Sequence, residues 1–564
     1  MMAYGYALIV VGFKVLNVGF RVYRRVFQVP EDLGFYRARA VIQDSVHGVI
    51  PVNEAEYYLL QTPFFRRLHD IKQLGLSYLV FPSATHSRFE HSLGVMHLAS
   101  RVAQKVVEAS RRSSRVCSNL FHECGDRVYR AFVQVARLAG LLHDIGHPPF
   151  SHMLEDTVSD LIFNPGDRGI VDAGVLKGLE DARARITEIG VYGKVHEAYT
   201  IYFTEKLINM VKDSEYGDLV LFLNLALGSL NPNMVRVEDW MLEELGIRVE
   251  ACKLINNIIS SGLVDVDRLD YLVRDARYTG VIYGNIDIDR VLESLDVKVE
   301  GDTVVIRVPP KGFQPVEDVF DARFKMYKTV YYHHKFVGVQ IALGNAFTQA
   351  LIEWEDLQPR PHSELLDNAG DLLNPAKLSN LIADGFIYFD DVEVLNIFKL
   401  MAFKGGNVGR RWAKSVLHER HLLPVSLIKR VDEVIAEISR VAKSQVSNIA
   451  RELEIVTSDR EAFEGVVERS IARKVRELGL DPSEVKVEKS PRKVVKSVDG
   501  TPVGVAEASL YIRMLAEIAS TPIILVHTYS DNEDIHIKLH RERSRIRKAF
   551  IEELVREVVE RLKT

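Results

Sequence analysis

The segment Leu141-Leu-His-Asp-Ile-Gly-His-Pro-Pro-Phe-Ser-His152 constrains this chain more than any other. An apolar helix over Val128–Leu142 runs straight into His143 and Asp144. Gly146 and Pro148-Pro149 then end it, because proline lacks a backbone donor and pushes the preceding residue away from helical angles. His143, Asp144, His147 and His152 therefore sit at the end of an apolar element, where each needs a partner or a ligand. An adjacent imidazole and carboxylate offer nitrogen and oxygen to one divalent cation. Mixed ligation of this kind suits manganese, iron, nickel or zinc better than calcium. Two residues cannot close a site. His91, in Arg88-Phe-Glu-His-Ser-Leu-Gly94, and Asp267, in Val264-Asp-Val-Asp-Arg-Leu-Asp-Tyr-Leu-Val-Arg-Asp275, complete a candidate set. On a helix Asp267, Tyr271 and Asp275 share a face and present a ligand, an aromatic wall and a second carboxylate. Asp270 and Arg274 read as a simple i,i+4 pair. Each residue alone has an ordinary reading as a core pair, a surface histidine or a helix cap. The ordered conjunction is much harder to produce by packing alone.

At roughly 150 residues per domain, 564 residues allow three or four domains, or one large helical unit with appendages. Hydrophobic residues at 47% and charged residues at 26% exclude a disordered or collagen-like chain. The balance of 72 basic against 77 acidic residues gives a net charge of −5, so no global polyanion-binding surface is implied. The basic tracts Lys486–Lys496 and Arg541–Lys548 read as solvated faces, and nucleic acid is not the expected partner. Cys117, Cys124 and Cys252 are too few for a disulfide framework and fit a reducing, cytoplasmic setting. Residues 1–38 read as an apolar and basic helical segment. Lys14 interrupts its apolar run and Arg21, Arg24 and Arg25 follow it, the reverse of a signal peptide and poor for an integral span. Residues 39–404 read as a mainly α core, with helical spacing in Val128–Leu142, Ala198–Val211 and Val330–Ile352, and one β-hairpin turning at Gly301-Asp302. Residues 405–564 read as a C-terminal α+β accessory region. It has amphipathic helices within Leu423–Ile455, short strands at Val485–Glu488, Val503–Ala506, Ile523–Tyr529 and Ile535–Leu539, and a terminal helix over Arg541–Lys563.

The order His91, His143-Asp144, Asp267 resembles the HD superfamily of metal-dependent phosphohydrolases. The similarity is closer to one branch. Asp44-Ser-Val-His-Gly48, Thr62-Pro63, Arg67-Leu68, Ile71-Lys-Gln-Leu-Gly75, Val80-Phe-Pro82, His86, Arg88–Gly94 and Arg323-x-x-Met-Tyr-x-x-Val-Tyr-x-His333 resemble the deoxynucleoside triphosphate triphosphohydrolases. That branch also contains the sterile-alpha-motif and HD-domain protein, and the likeness covers roughly residues 40–350. It implies an HD-type helical bundle that cleaves a dNTP to deoxynucleoside and tripolyphosphate, as a homo-oligomer. It implies His91, His143, Asp144 and Asp267 as ligands of one divalent ion per subunit (manganese, iron, nickel, zinc or magnesium), with room for a second magnesium carried in by the substrate phosphates. Arg88, Arg268 and Arg323 would hold phosphates. His147 and His152 would lie beside the α-phosphate, with Glu155 as a neighbouring acid and His196 as a further active-site histidine. Gln73 and Asp275 would contact the sugar 3′ hydroxyl, beside Tyr271, and Tyr331 would stack on the sugar and leave little room for a 2′ hydroxyl.

The residue chemistry agrees with these roles. A divalent ion activates water and polarises a phosphoryl oxygen, arginine forks match phosphate oxygens, and a carboxylate-held histidine can protonate a departing 5′ oxygen. No Walker-type loop is present. Two departures stand out. Gln61 and His69 occupy the positions where the family holds an activating guanine with an aspartate and an arginine, so guanine activation is not implied. The stretch 156–193 is longer than in the family and reads as a helix-containing insertion acting as a lid at the pocket mouth. Two other readings compete: an HD phosphohydrolase acting on a nucleoside monophosphate, cyclic dinucleotide or alarmone, and a non-catalytic nucleotide-sensing or nucleic-acid-binding scaffold.

Overall fold

Three helices that carry the expected metal ligands pack unusually closely. Arg88–Arg112 begins where Ser87 N–H donates to the Glu90 carboxylate (3.2 Å), half of a capping box. It lies along Asp126–Leu142, whose buried stripe runs through Phe132, Val135, Leu138 and Leu142. Val266–Thr279 crosses it, capped by Asp265, which accepts from Arg268 N–H (2.8 Å). Gly94 makes the crossing close: a Cβ there would fall 1.9 Å from Asp270 Oδ1. The computed structural model describes residues 38–191, 194–261, 265–417, 419–442, 444–492 and 523–563, with Ser509, Tyr511, Ile512 and the backbone of 9–11 and 14–16.

The core is mainly α, as expected. The helices Val195–Lys212, Phe313–Met326 and His334–Ile352 surround the first three. The expected hairpin is Asp296–Glu300 against Thr303–Arg307, with Gly301 at φ +60. A second hairpin pairs Ala38–Asp44 with Gly48–Asn53; Pro51 in its second strand hides it in the sequence, since proline argues against a strand. The first hydrophobic core does not stop at residue 404. Asn407–Leu417 buries Trp412, Ala413 and Val416 in it. Gly405-Gly406 is a tight turn, with the Glu353 carboxylate accepting from Gly406 N–H (2.8 Å) and Gly409 N–H (3.1 Å).

The C-terminal region is α+β around a second core. Its antiparallel sheet has Ile523–Tyr529 between Val425–Ile428 and Lys486–Arg492. The central strand is buried and serves both cores: Leu525 and Tyr529 belong to the first, Ile524 and Val526 to the second. Val431–Ala442, Val446–Ser458 and Arg543–Lys563 pack around it. Ile535–Leu539 is helix, not strand. The Asn532 side chain caps Asp534 and Ile535 N–H (3.0 and 3.3 Å), and Glu533 and Asp534 favour the helix N-terminus. The expected strand Val503–Ala506 lies outside the described residues.

Two further expectations are corrected and a third is narrowed. In the N-terminal segment, read as helical, Ile9–Val11 and Lys14–Leu16 pair as antiparallel strands, in keeping with their β-branched residues; most of 1–37 lies outside the described residues. Cys117 and Cys124 are joined in a disulfide, because the Ser114–Leu120 helix end turns back to bring their Cα atoms 6.0 Å apart, while Cys252 is free and buried. Of the 156–193 stretch, read as a lid, Asp156 alone among the described residues lines the pocket. The helix Ala173–Glu188 of this stretch packs on Ala369–Leu373 so closely that a Cβ on Gly178 would meet Asn368 Oδ1 at 2.1 Å. Among the described residues no helix is long and apolar enough to cross a membrane.

Candidate active site

The four expected ligands converge from three parts of the chain. His91 comes from the Arg88–Arg112 helix, His143 and Asp144 from the end of Asp126–Leu142, and Asp267 from the first turn of Val266–Thr279. His91 Nε2 stands 3.4 Å from Asp144 Oδ2 and 3.1 Å from Asp267 Oδ1. His143 Nε2 stands 3.3 Å from His91 Nε2, 3.3 Å from Asp144 Oδ2 and 3.7 Å from Asp267 Oδ1. Donors about 2.1 Å from a common ion lie roughly 3.0–3.4 Å apart, so this spacing suits one divalent cation.

The surroundings fix the donor atoms. His91 Nδ1 is held by Asp270 Oδ2 (2.7 Å) and His143 Nδ1 by the Gly140 carbonyl (2.8 Å). Each Nδ1 is thereby turned outward and each Nε2 faces the cluster, the arrangement a metal ligand needs. Asp270 is itself locked by His47 Nε2 (2.6 Å) and Arg274 Nε (2.8 Å), and Arg274 reaches on to Asp44 (2.8 Å). Burial lowers the affinity of His143 for a proton, but Asp144 and Asp267 outweigh it and push its pKa up to about 10. The same negative field would hold a cation.

A second group lies alongside. Glu155, near the start of His152–Phe163, holds His152 Nδ1 (2.7 Å) through one oxygen and His196 Nδ1 through the other. Burial would raise the Glu155 pKa, but His196 and the hydrogen bonds from both imidazoles keep the carboxyl far below its ordinary range. The His147 ring stacks on His196 (4.3 Å between centroids), and its Nε2 stands 3.3 Å from Asp144 Oδ1. Burial, together with Arg88 and His196, drives the His147 pKa well down, so the ring is neutral. His147, His152, Glu155 and His196 also form a donor set of metal-binding composition. In that set the one carboxylate, Glu155, is already bonded through both oxygens to His152 and His196, whereas the first cluster offers the two aspartates Asp144 and Asp267, which favours the first cluster as the metal centre.

Both groups open on a cavity of about 380 Å³. Arg88, Asp144 and Asp267 line one part, His152 and Glu155 another, and Gln73, Tyr271, Asp275 and Tyr331 the far wall. Arg88 contacts Asp144 through NH1 and Ser151 Oγ through Nε (2.7 Å), while its buried NH2 has no hydrogen-bond partner. Gln73 Oε1 and His147 Nδ1 are buried and unpartnered too. Three unsatisfied polar atoms around one site point to a polar ligand. On the far wall Asp275 accepts from His86 Nε2 (2.7 Å) and Tyr331 Oη (2.6 Å). Tyr331 ends a π-helical turn, Tyr327–Tyr331, in which Tyr332 N–H bonds the Tyr327 carbonyl (2.9 Å). This wider turn brings Tyr327 into the wall beside Tyr331.

Two expected phosphate-binding residues lie off the cavity lining. Arg268 pairs with Asp265 (3.0 Å), and Arg323 lies over the Tyr327 ring (5.5 Å). His69 stacks on Phe89 (3.7 Å), and Gln61 accepts from Arg66 (3.0 Å). In the sequence Asp270 shows only its pairing with Arg274 and His47 shows no site role, because their other partners are far away along the chain; Tyr327 shows none either, although its contacts Arg323 and Tyr331 are four residues away. A larger groove of about 590 Å³ contains Arg111 and Arg137, but these pair with Asp126 and Glu56 and no imidazole lines it, so size does not select the site.

Residues 88–189 match the family model of the HD domain. An uncharacterized protein of Methanocaldococcus jannaschii is 32% identical over 294 residues, covering 52% of this chain and 46% of that protein. The human deoxynucleoside triphosphate triphosphohydrolase SAMHD1 is 29% identical over 326 residues, covering 55% of this chain and 44% of that protein. The chain spans about half the length of the curated relatives it matches. The crystal structure of a phosphohydrolase from Bacteroides thetaiotaomicron superposes with a TM-score of 0.57 at 23% identity, covering 87% of this chain and 100% of that one, a likeness of fold. With the converging histidines and aspartates, these matches show that the chain contains an HD domain, at residues 88–189.

Proposed function

We propose that this chain is a metal-dependent phosphohydrolase that cleaves deoxynucleoside triphosphates to deoxynucleoside and tripolyphosphate. The observation that carries the proposal is the lining of the cavity: a four-donor cluster with Arg88, a carboxylate-held histidine beside it, and a carboxylate hydrogen-bonded to a tyrosine. His91, His143, Asp144 and Asp267 would hold a divalent cation, which would supply Lewis-acid polarisation and charge neutralisation there. The unpartnered NH2 of Arg88 binds a phosphate oxygen. His152, its Nδ1 fixed by Glu155, presents Nε2 to the departing 5′ oxygen and gives it a proton as the P–O5′ bond breaks. Water supplies the oxygen that joins the α-phosphorus, so one water is consumed per tripolyphosphate released. Asp275 and Gln73 take the 3′ hydroxyl, and Tyr331, pinned to Asp275, closes the space a 2′ hydroxyl would need. Human SAMHD1 bears the name of this activity, which supports the substrate class.

The test is product analysis with each dNTP and rNTP under manganese, magnesium, zinc, nickel and iron. Equimolar deoxynucleoside and tripolyphosphate is the expected result. Orthophosphate from a monophosphate, or cleavage of a cyclic dinucleotide, would move the reading to another phosphoester, and an inert protein would leave a scaffold. Tyr331→Ala should lower the deoxy-over-ribo preference in kcat/KM by about tenfold, since admitting one hydroxyl to a pocket is a modest steric term. An unchanged ratio would remove Tyr331 from sugar selection.

A further inference from the structure

We propose that Arg67 and Asp391 are positioning residues that hold the loop from Ile145 to His152, and through it His147, His152 and Arg88, in working geometry. Arg67 is 1% exposed and spends its guanidinium on backbone carbonyls: Nε to Tyr388 (2.7 Å), NH1 to Ile145 (3.0 Å), and NH2 to His147 (2.9 Å) and Phe389 (2.8 Å). A buried cation is a costly way to fill a core, and its planar fork fixes four groups at once. Asp391 grips the same loop from the other side. Its Oδ1 accepts from Phe150 N–H (2.5 Å) and its Oδ2 from Lys72 N–H (2.9 Å).

The segments so held are strained. Phe150 and Ser151 both have φ 58 and Phe389 has φ 48, conformations that residues with side chains keep only where their surroundings over-determine them. The Ser151 hydroxyl donates to the Lys72 carbonyl (2.7 Å) and accepts from Arg88 Nε (2.7 Å), so the loop's path sets the arginine as well as the histidines. Asp391 opens the helix Asp391–Lys404, well outside the HD-domain match. A distant element thus sets the local geometry of the histidine loop. The inference rests on the proposed hydrolysis only for its kinetic arm.

The experiment compares Arg67→Lys, Asp391→Ala and Asp391→Asn with Glu393→Gln. Glu393 accepts from Tyr388 and Phe389 N–H (2.9 and 2.7 Å), so it braces the same segment without a hydrogen bond to the histidine loop. Amide hydrogen exchange over residues 145–153 should quicken about tenfold in Arg67→Lys and Asp391→Ala. With a dNTP and manganese, kcat should fall at least about tenfold in both, with KM within about threefold and full metal content, since small misplacements of reacting groups are costly. Asp391→Asn keeps one carbonyl acceptor and should recover part of both losses. Glu393→Gln should leave exchange over 145–153 and kcat as they are. Unchanged loop exchange in Asp391→Ala overturns the proposal, as does a Glu393→Gln variant that loosens the loop and slows turnover equally. A full-length protein that cleaves no dNTP would refute the functional reading, and the exchange arm would still decide the clamp.

Discussion

Asp144→Asn is expected to lose its divalent ion and to lower kcat/KM by at least about 1,000-fold, because removing the ion removes Lewis-acid and charge stabilisation together. Asp144 Oδ2 stands within 3.4 Å of both metal-facing imidazole nitrogens and also accepts from Arg88, while Oδ1 faces His147. Asparagine keeps the volume and surrenders the charge. The cluster then has two neutral imidazoles and one carboxylate, and Arg88 becomes a buried cation without its counter-ion, a further penalty. Metal analysis of the purified variant, with its melting temperature as a check on folding, measures the first effect, and dNTP hydrolysis the second. A variant that keeps a full ion and the parental rate would show that Asp144 is not a ligand.

Glu155→Gln should separate the two clusters. Glutamine offers one acceptor where Glu155 uses two, so His152 and His196 cannot both be held. It also removes the negative charge that stabilises a protonated imidazole. Loss of an oriented proton donor is worth about 100- to 10,000-fold in kcat. Metal content should stay full, because none of the four donors contacts Glu155. A variant that turns over within about threefold of the parent would take the proton-donor role from this pair. One that loses its ion instead would move the metal to the second cluster.

Much of this site could be read from the chain because its chemistry sits in short runs. His143-Asp144 at the end of an apolar helix, Arg88-x-x-His91 and Asp267 on a helical face each carry their residue types locally, and the structure brings those four donors together. What orients them could not be read. Asp270 holds His91 and His47 across the fold, and the i,i+4 spacing to Arg274 revealed only its least informative contact. Arg268 and Arg323 show the converse limit: a motif fixes residue type, but neighbours such as Asp265 and Tyr327 decide where a long side chain lies. The Ile535–Leu539 error is a problem of period. Five residues of alternating pattern fit a strand or a helix face equally well, and the deciding signal was the Asn532 cap. The 156–193 stretch, which brings only Asp156 to the cavity, meets a similar limit, since the length of an insertion says nothing about which surface receives it.

The strand Ile523–Tyr529, with alternate side chains serving the two cores, joins the HD portion to its tail in a way that chain order conceals. A truncation ending before Ile523 would strip Leu525 and Tyr529 from one interior and Ile524 and Val526 from the other. The two halves thus share one wall, and a cut ahead of it opens both interiors at once.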